Sequence, residues 1–366
     1  MSNTFLTVTD IAERSLPFLE ANLALAGSVN RDFDSAYGKK GDTVQVRKPE
    51  LFTATEFDES AGVSFGEVAE EAVSVQLDKI LTVDKKVGSK EMTMNINDFE
   101  MQYIMPAMKG LSQKIDTNLA ALYKDIPYYV GAAGTTPDAL SDITGCKKIL
   151  EENKAPRSPR YLILNEDAEE KFLQLDSFAE IDKSNDPAIM REGFLGRKYG
   201  FDIAMDQNVA THTKGTLAGS PLTNSATAGS TSVPINGATA ATTLLHGDII
   251  AIAGNYYVVT ADVTLAAGAG NVSIYPALAA DSNDEAVTVF ANSVNNLAFH
   301  RDAFCLVNRP LEPAMGGAES ATINMNGLSV RVTYGYDMTY KRHMLSWDIL
   351  TGFKTLYPEL AVRLLG

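Results

Sequence analysis

Two hydrophobic periods take turns along this chain. Near the N-terminus, Ile11, Leu16, Phe18, Leu19, Leu23 and Leu25 supply the apolar positions of an amphipathic helix over residues 4–26. Thr9 or Asp10 can cap its main part, and Pro17 is expected to break or kink it. The period then drops to two. Thr43-Val-Gln-Val-Arg-Lys-Pro49 alternates until a proline stops it, and Val73-Ser-Val-Gln-Leu77 alternates back, continuing through Ile80 and Thr82-Val83. This predicts a long β-hairpin over residues 38–92. Two-stranded ribbons are marginal alone, so a hairpin of this length is expected to pack on another surface, such as that of a neighbouring chain.

The helical period returns over residues 97–125, where Ile104, Met108, Leu111, Ile115, Leu119 and Leu122 recur in steps of three and four. Asn97 or Asp98 can cap this helix, and Pro106 bends it or marks its first turn. At 1.5 Å per residue it spans about 40 Å, the length of a strut. Thr136 and Pro137 open a further helix faced by Leu140, Ile143, Cys146, Ile149 and Leu150. The short strand Tyr161-Leu-Ile-Leu164 and a second helix from Asn165 or Asp167 to about Leu175 follow, which reads as an α+β core.

Residues 209–298 change character. They are rich in Ala, Gly, Ser and Thr, nearly free of Lys and Arg, and broken into short strands at 232–235, 248–252, 256–260, 272–275 and 286–290. Gly254-Asn255 is the expected hairpin turn between two of them. A small barrel or sandwich inserted into the α+β frame is the predicted architecture. The mixed pattern resumes after residue 298, with strands around 328–334 and 338–347.

Composition narrows the function. The chain has 366 residues and a formal net charge of −15, a poor balance for sequence-specific nucleic-acid binding. No apolar run approaches the ~20 residues of a membrane helix, and Met1-Ser-Asn-Thr-Phe5 does not open a signal peptide, so a reducing cytoplasm is the expected place of synthesis. Cys146 and Cys305 are too few for a disulfide framework or zinc site and read as buried small hydrophobes. The templates HExxH and the P-loop do not occur, and Gly193 to Gly200 lacks dinucleotide-binding spacing. His212, His246, His300 and His343 are not paired at metal-ligand spacing. Asp281, Asn283 and Asp284 resemble half a calcium loop, but Ala286 stands where its glycine belongs and the closing glutamate is missing. No catalytic, cofactor-binding or metal-binding residue is predicted.

Four stretches, in order and across most of the chain, resemble the coat proteins of phages related to P22, within the wider HK97-like capsid fold. They are Ile96-Asn-Asp-Phe-Glu100 with Tyr103-Ile-Met-Pro106 and Leu111-Ser-Gln-Lys-Ile-Asp116; Arg191-Glu-Gly-Phe-Leu-Gly-Arg-Lys-Tyr-Gly-Phe-Asp-Ile203; Asn296-Leu-Ala-Phe-His-Arg-Asp-Ala-Phe304 with Arg309-Pro-Leu311; and Trp347-Asp-Ile-Leu-Thr-Gly352 with Tyr357-Pro-Glu-Leu-Ala-Val-Arg363. Gly247-Asp-Ile-Ile-Ala-Ile-Ala-Gly254 resembles part of the insertion domain of P22-like coats.

The resemblance implies an N-terminal arm at 1–36, an extended loop at 37–92 and a spine helix with peripheral domain at 93–136. It implies an axial domain beginning at 137–208, an inserted β-domain at 209–298 and a return to both frames at 299–366. The implied function is that of a major coat subunit, assembling with itself into hexamers and pentamers of a tailed-phage head around double-stranded DNA. Portal and scaffolding proteins are the further implied partners. The implied location is the virion, after assembly in the host bacterial cytoplasm. Candidate subunit contacts are Arg47 and Lys48 on the hairpin, with Glu56, Asp58, Glu59, Glu67, Glu70 and Glu71 in the acidic stretch between its arms. The chain departs from the P22 type in being shorter, and in having a low-charge segment, Gly215 to Ala228, where a charged contact loop is expected. The Lys, Asn and carboxylate that cross-link some HK97-like shells cannot be placed, which predicts a non-covalent shell. The rival readings are an encapsulin-like cellular compartment shell, and a carbohydrate-binding or enzymatic protein with its site in the inserted domain.

Overall fold

The computed structural model describes residues 8–21, 23, 25–32, 43–48, 71–88, 100–179, 195–314, 319–325, 328–340 and 342–366. The fold is α+β, and the chain divides into two compact units. One comprises Met1–Leu16, Arg31–Glu100 and Leu306–Lys354; the other comprises Pro17–Asn30, Met101–Cys305 and Thr355–Gly366.

The first unit is built on an antiparallel sheet. Arg342–Thr355 is its long central strand, paired with Leu328–Asp337, which in turn pairs with Glu319–Met325. Lys79–Gly88 pairs along Arg342–Thr355 from Thr351↔Lys79 to Arg342↔Gly88. The indole of Trp347 is fully buried and donates to Ser15 Oγ at 3.2 Å, while that hydroxyl donates to Ile11 O at 2.7 Å. Ser15 lies on the helix Val8–Ala21, which continues through Pro17, contrary to the break expected there. A proline inside a helix costs ~3 kcal/mol. Burial of Ile11, Leu16 and Leu19, at about 1.5–3 kcal/mol each, outweighs that cost.

The ribbon also differs from the expected single hairpin. Thr43–Lys48 and Glu71–Gln76 do pair antiparallel, from Thr43↔Gln76 to Lys48↔Glu71. The return arm, however, ends at Gln76. After Leu77 and Asp78 the chain enters Lys79–Gly88, which belongs to the larger sheet. The alternation lapses at Asp78-Lys79 and resumes in the same phase at Leu81 and Val83, so periodicity alone reads the two partners as one arm. Gly352 explains how the chain passes: a Cβ there would lie 2.4 Å from the Gln76 carbonyl oxygen.

In the second unit the strut is one helical run in three winds. A π-helical turn, Glu100–Ile104, leads into the α-helix Met105–Ala120 and a 3₁₀ end, Ala121–Asp125. Pro106 sits in the first turn of the α segment, where its missing N–H costs least. The run stops because Pro127 drives Ile126 to extended geometry, φ −94° and ψ 120°. The expected caps Asn97 and Asp98 lie outside the described residues. The next helix begins at Leu140, later than Thr136-Pro137 suggested, because the Asp142 carboxylate accepts from Ala139 N at 3.2 Å and fixes the start there. Asn165 caps Glu166–Leu173 as expected, its side-chain oxygen accepting from Ala168 N at 3.2 Å. Replacing Asn165 by Ala should cost about 1 kcal/mol of stability, read as a lowered urea midpoint. These helices cover a sheet ordered Tyr129–Val130, Ala361–Leu365, Ser293–His300, Arg160–Leu164, Phe201–Met205, Gly196–Lys198. Leu162, Leu164, Phe172, Phe178, Phe201 and Leu364 lie in the shared core.

The Ala- and Gly-rich region forms a nearly closed barrel. Its six strands run in the order Val287–Val289, Ile249–Ile252, Asn255–Val259, Gly270–Tyr275, Ser232–Ala238, Gly219–Thr223. The bridge Leu222↔Ala286 brings the two ends together. Val233 and Ile235, Ile250 and Ile252, Tyr257 and Val259, Val272 and Ile274 alternate inward and fill it. The tight turn is Ala253-Gly254, both at positive φ, one residue before the expected Gly254-Asn255 pair. The barrel hangs on a two-stranded stem, with Thr211 opposite Val294 and His212 opposite Ser293.

Candidate assembly elements and the buried joint of the inserted barrel

Where the barrel meets the core of its own unit, the contact is polar and buried. Asp248 opens the apolar strand Ile249–Ile252 and is fully buried. Its Oδ1 lies 2.8 Å from His212 Nε2 and accepts from Gly215 N at 3.2 Å; its Oδ2 accepts from Leu245 N at 2.7 Å. The other ring nitrogen, His212 Nδ1, is 2.7 Å from the Tyr123 hydroxyl. Burial pushes that phenol up to about 12, so it keeps its proton at neutral pH.

Arg363 closes the joint from the C-terminal strand Ala361–Leu365. Its guanidinium donates to Gly247 O at 2.8 Å and Lys124 O at 3.2 Å, and its centre lies 5.2 Å from the centroid of the Tyr123 ring. Burial lowers its pKa to about 9, against the opposing pull of Tyr123, Asp125 and Asp248, so it remains a buried cation at neutral pH. Gly247 is required there. Its φ is +98°, and a Cβ would come within 2.9 Å of the Lys124 side chain. Outer straps flank the joint: His246 Nε2 to Asp125 Oδ1 at 3.1 Å, Thr355 Oγ1 to Asp125 Oδ2 at 2.8 Å, and the Tyr275 hydroxyl to Glu359 Oε1 at 2.5 Å.

Chemically this network holds one body against another. Both ring nitrogens of His212 are engaged by buried partners, so the imidazole has no free nitrogen to offer a substrate. The other histidines are also occupied. His300 accepts from Asp302 N, and burial lowers its pKa. His343 stacks on Tyr334 and meets its hydroxyl. The oxygens of Asp281 and Asn283 accept from Ala228 N and Ser225 N, and so staple a loop of the barrel. Among the described residues no three His, Cys, Asp or Glu side chains converge as a metal site, and no helix is long and apolar enough to cross a membrane. Cys146 and Cys305 are both buried, and burial raises the Cys146 thiol well above its usual range. Ellman's reagent should therefore label neither thiol in the native chain and both in denaturant; fast native labelling would contradict this packing.

Of the predicted contact residues, Arg47 and Lys48 lie on the outgoing arm of the ribbon, and Glu71 opens the return arm directly opposite Lys48. Glu56, Asp58, Glu59, Glu67 and Glu70 lie outside the described residues. Sequence reasoning missed the joint. Its members are far apart in the chain, but a signal was there: Asp248 and Arg363 each interrupt an apolar run, Leu244 to Ile252 and Leu360 to Leu365. A charge in such a run needs a buried partner.

No known family profile matches the chain, and no curated protein does. Solved structures do. The chain is similar to a structure titled "Mycobacterium phage Che8", with a TM-score of 0.53 and 14% identity, covering 93% of this chain and 90% of that one. Similarity also extends to the "Capsid structure of the Cyanophage P-SCSP1u", with TM-score 0.47, 12% identity and coverage of 89% and 83%. A third is the "Asymmetric unit of bacteriophage PhiM1 mature capsid", with TM-score 0.47, 10% identity and coverage of 92% and 86%.

Proposed function

We propose that this chain, which has the HK97-like α+β fold, is the major capsid subunit of a tailed-phage head and works by self-assembly, not by catalysis. One observation carries the reading. The fold of 93% of the chain is similar to that of a phage structure, 90% of which is covered, and the sequence carries four stretches that resemble coat proteins. Hexamers and pentamers then form through heterologous contacts that close into a shell. Each contact is weak, and the lattice supplies stability through effective concentration. The ribbon and its acidic stretch, within the extended loop at 37–92, reach a neighbouring subunit. Lys48 and Arg47 set register there more than strength, since exposed ion pairs contribute only ~0–1 kcal/mol.

In the same reading the arm at 1–36, the spine at 93–136 and the axial domain from 137 play their family roles, and the barrel within 209–298 is an insertion of the P22-like kind. The shell is non-covalent, assembled in the bacterial cytoplasm with portal and scaffolding proteins. It holds DNA by proximity, for which a net charge of −15 is suited. Negative-stain microscopy of the purified, overexpressed chain tests the proposal. Closed particles of uniform diameter are expected, and a chain that stays monomeric at every concentration and salt would sink it.

A further inference from the structure

The second unit carries a small open groove of about 270 Å3 where the barrel adjoins the core. Tyr128, Tyr129 and Ile149 line it from the core, and Asn255, Tyr256 and Pro276 line it from the barrel. Pockets for whole small-molecule ligands run to about 300–1,000 Å3, so this one is sized for a short stretch of peptide. Tyr256 is 46% exposed, yet its ring is held in place. The centroid of Tyr129 lies 5.0 Å from that of Tyr256 and 4.9 Å from that of Phe290, both edge to face, and Tyr256 meets Phe290 at 5.8 Å. Fixed tyrosines give contact area at little cost in entropy. Grooves lined by aromatic rings are the surfaces that take proline-rich segments, which are extended before they bind.

The first unit presents such a segment, Arg309-Pro-Leu-Glu-Pro313. Its two prolines fix their own φ and hold the residues before them, Arg309 and Glu312, to extended geometry. Side chains fasten the segment to its own unit. Thr322 Oγ1 donates to Leu311 O at 3.0 Å, Arg331 Nη1 donates to Glu312 O at 3.0 Å, and Ala314 N donates to Ser320 Oγ at 2.8 Å. Leu311 is buried as an anchor, while Pro310, Glu312 and Pro313 are exposed. At three residues per turn Pro310 and Pro313 face the same way. Pro156 and Pro159 have the same spacing, but Pro159 is half-buried and its carbonyl accepts from Arg301 N at 3.4 Å.

We infer that the tyrosine-lined groove receives the Pro310–Pro313 segment of a second copy of the chain. The inference rests on the shell reading above and adds a contact to it. Charge agrees with the choice of occupant. Lys148 and Glu152 are exposed beside Ile149 on the helix Leu140–Glu152, and the segment brings Arg309 and Glu312, one charge of each sign, to meet them. Such exposed pairs set the direction of the segment more than the strength of the contact. A second copy is required because both prolines are exposed in their own chain and so do not fill its groove. Groove and segment are different surfaces of one chain, so the contact is heterologous, the kind that builds rings.

The test has two readings, both on full-length chains. Tetranitromethane is added to particles and to unassembled subunits, and nitration of Tyr256 is followed by peptide mass spectrometry. Tyr256 should react about ten-fold more slowly in particles. Separately, particles are assembled from an equal mixture of Asn255→Cys chains and Pro313→Cys chains and treated with a mild oxidant. A disulfide joining positions 255 and 313 is expected, and because each chain carries only one of the two new thiols the bond can form only between copies. The native thiols at 146 and 305 are buried and do not compete. The inference is overturned if particles form and Tyr256 reacts equally fast in both states, or if particles form and no disulfide links 255 to 313. If no particles form from the intact chain, the shell reading fails and this inference fails with it.

Discussion

Deletion of residues 52–70 should yield a folded chain that forms no particles. The cut spares both arms of the ribbon, Thr43–Lys48 and Glu71–Gln76, including the buried Val46 and Val75. The strand pairings of the sheets and the barrel that join described residues all lie outside the cut. Far-ultraviolet circular dichroism and the thermal midpoint should therefore stay close to those of the intact chain. Assembly should respond in an all-or-none way. A shell is the product of many weak contacts, and removing one class of contact from every copy lowers the effective concentration that holds all the others. Electron microscopy and sedimentation of the deletion variant decide the matter, and normal particles would refute the role given to the ribbon.

Replacing Asp248 by Ala should be among the most damaging single changes in the chain, at about 3–5 kcal/mol. The loss is not that of a single hydrogen bond. His212 Nε2, Gly215 N and Leu245 N would each keep a buried donor with no acceptor, and the buried Arg363 cation would lose one of its compensating carboxylates. Asp248→Asn keeps an acceptor oxygen and should cost less, about 1–3 kcal/mol. Combining Asp248→Ala with Arg363→Met should recover part of the loss, because the uncompensated charge leaves with its partner. Urea unfolding followed by circular dichroism reads all three variants. An Asp248→Ala midpoint equal to that of the intact chain would show that the joint contributes nothing.

The elements that could be read from the sequence are those whose cause is local. Alternation in Ser232 to Ile235 and Val272 to Tyr275 marks barrel strands because the inward positions are one period apart, and Asn165 marks a helix start because its cap partner is three residues away. Strands that are short or polar, such as Gly219–Thr223, Thr242–Leu244 and Val263–Leu265, carry too few apolar positions to show a period, and they form only because neighbours complete them. The hand-over at Leu77-Asp78 was hidden for the opposite reason: both successive partners ask for the same alternation. The joint was the least legible part. Tyr123, His212, Asp248 and Arg363 meet only after the barrel has closed and the last strand has been laid into the sheet.

The two-stranded stem sets the terms on which the barrel can be exchanged. Its strands leave the core side by side, at Thr211 and Val294, so a different module with closely spaced ends could be grafted there with no strain on the surrounding sheet. Such a graft would still leave a vacant post. Arg363 belongs to the recipient, yet Gly247 and Asp248, which accept its hydrogen bond and offset its charge, belong to the guest. A successful replacement must therefore bring its own carbonyl and carboxylate to that spot or be accompanied by an apolar residue at 363. Descendants of such a chain should gain or lose the barrel and the arginine together.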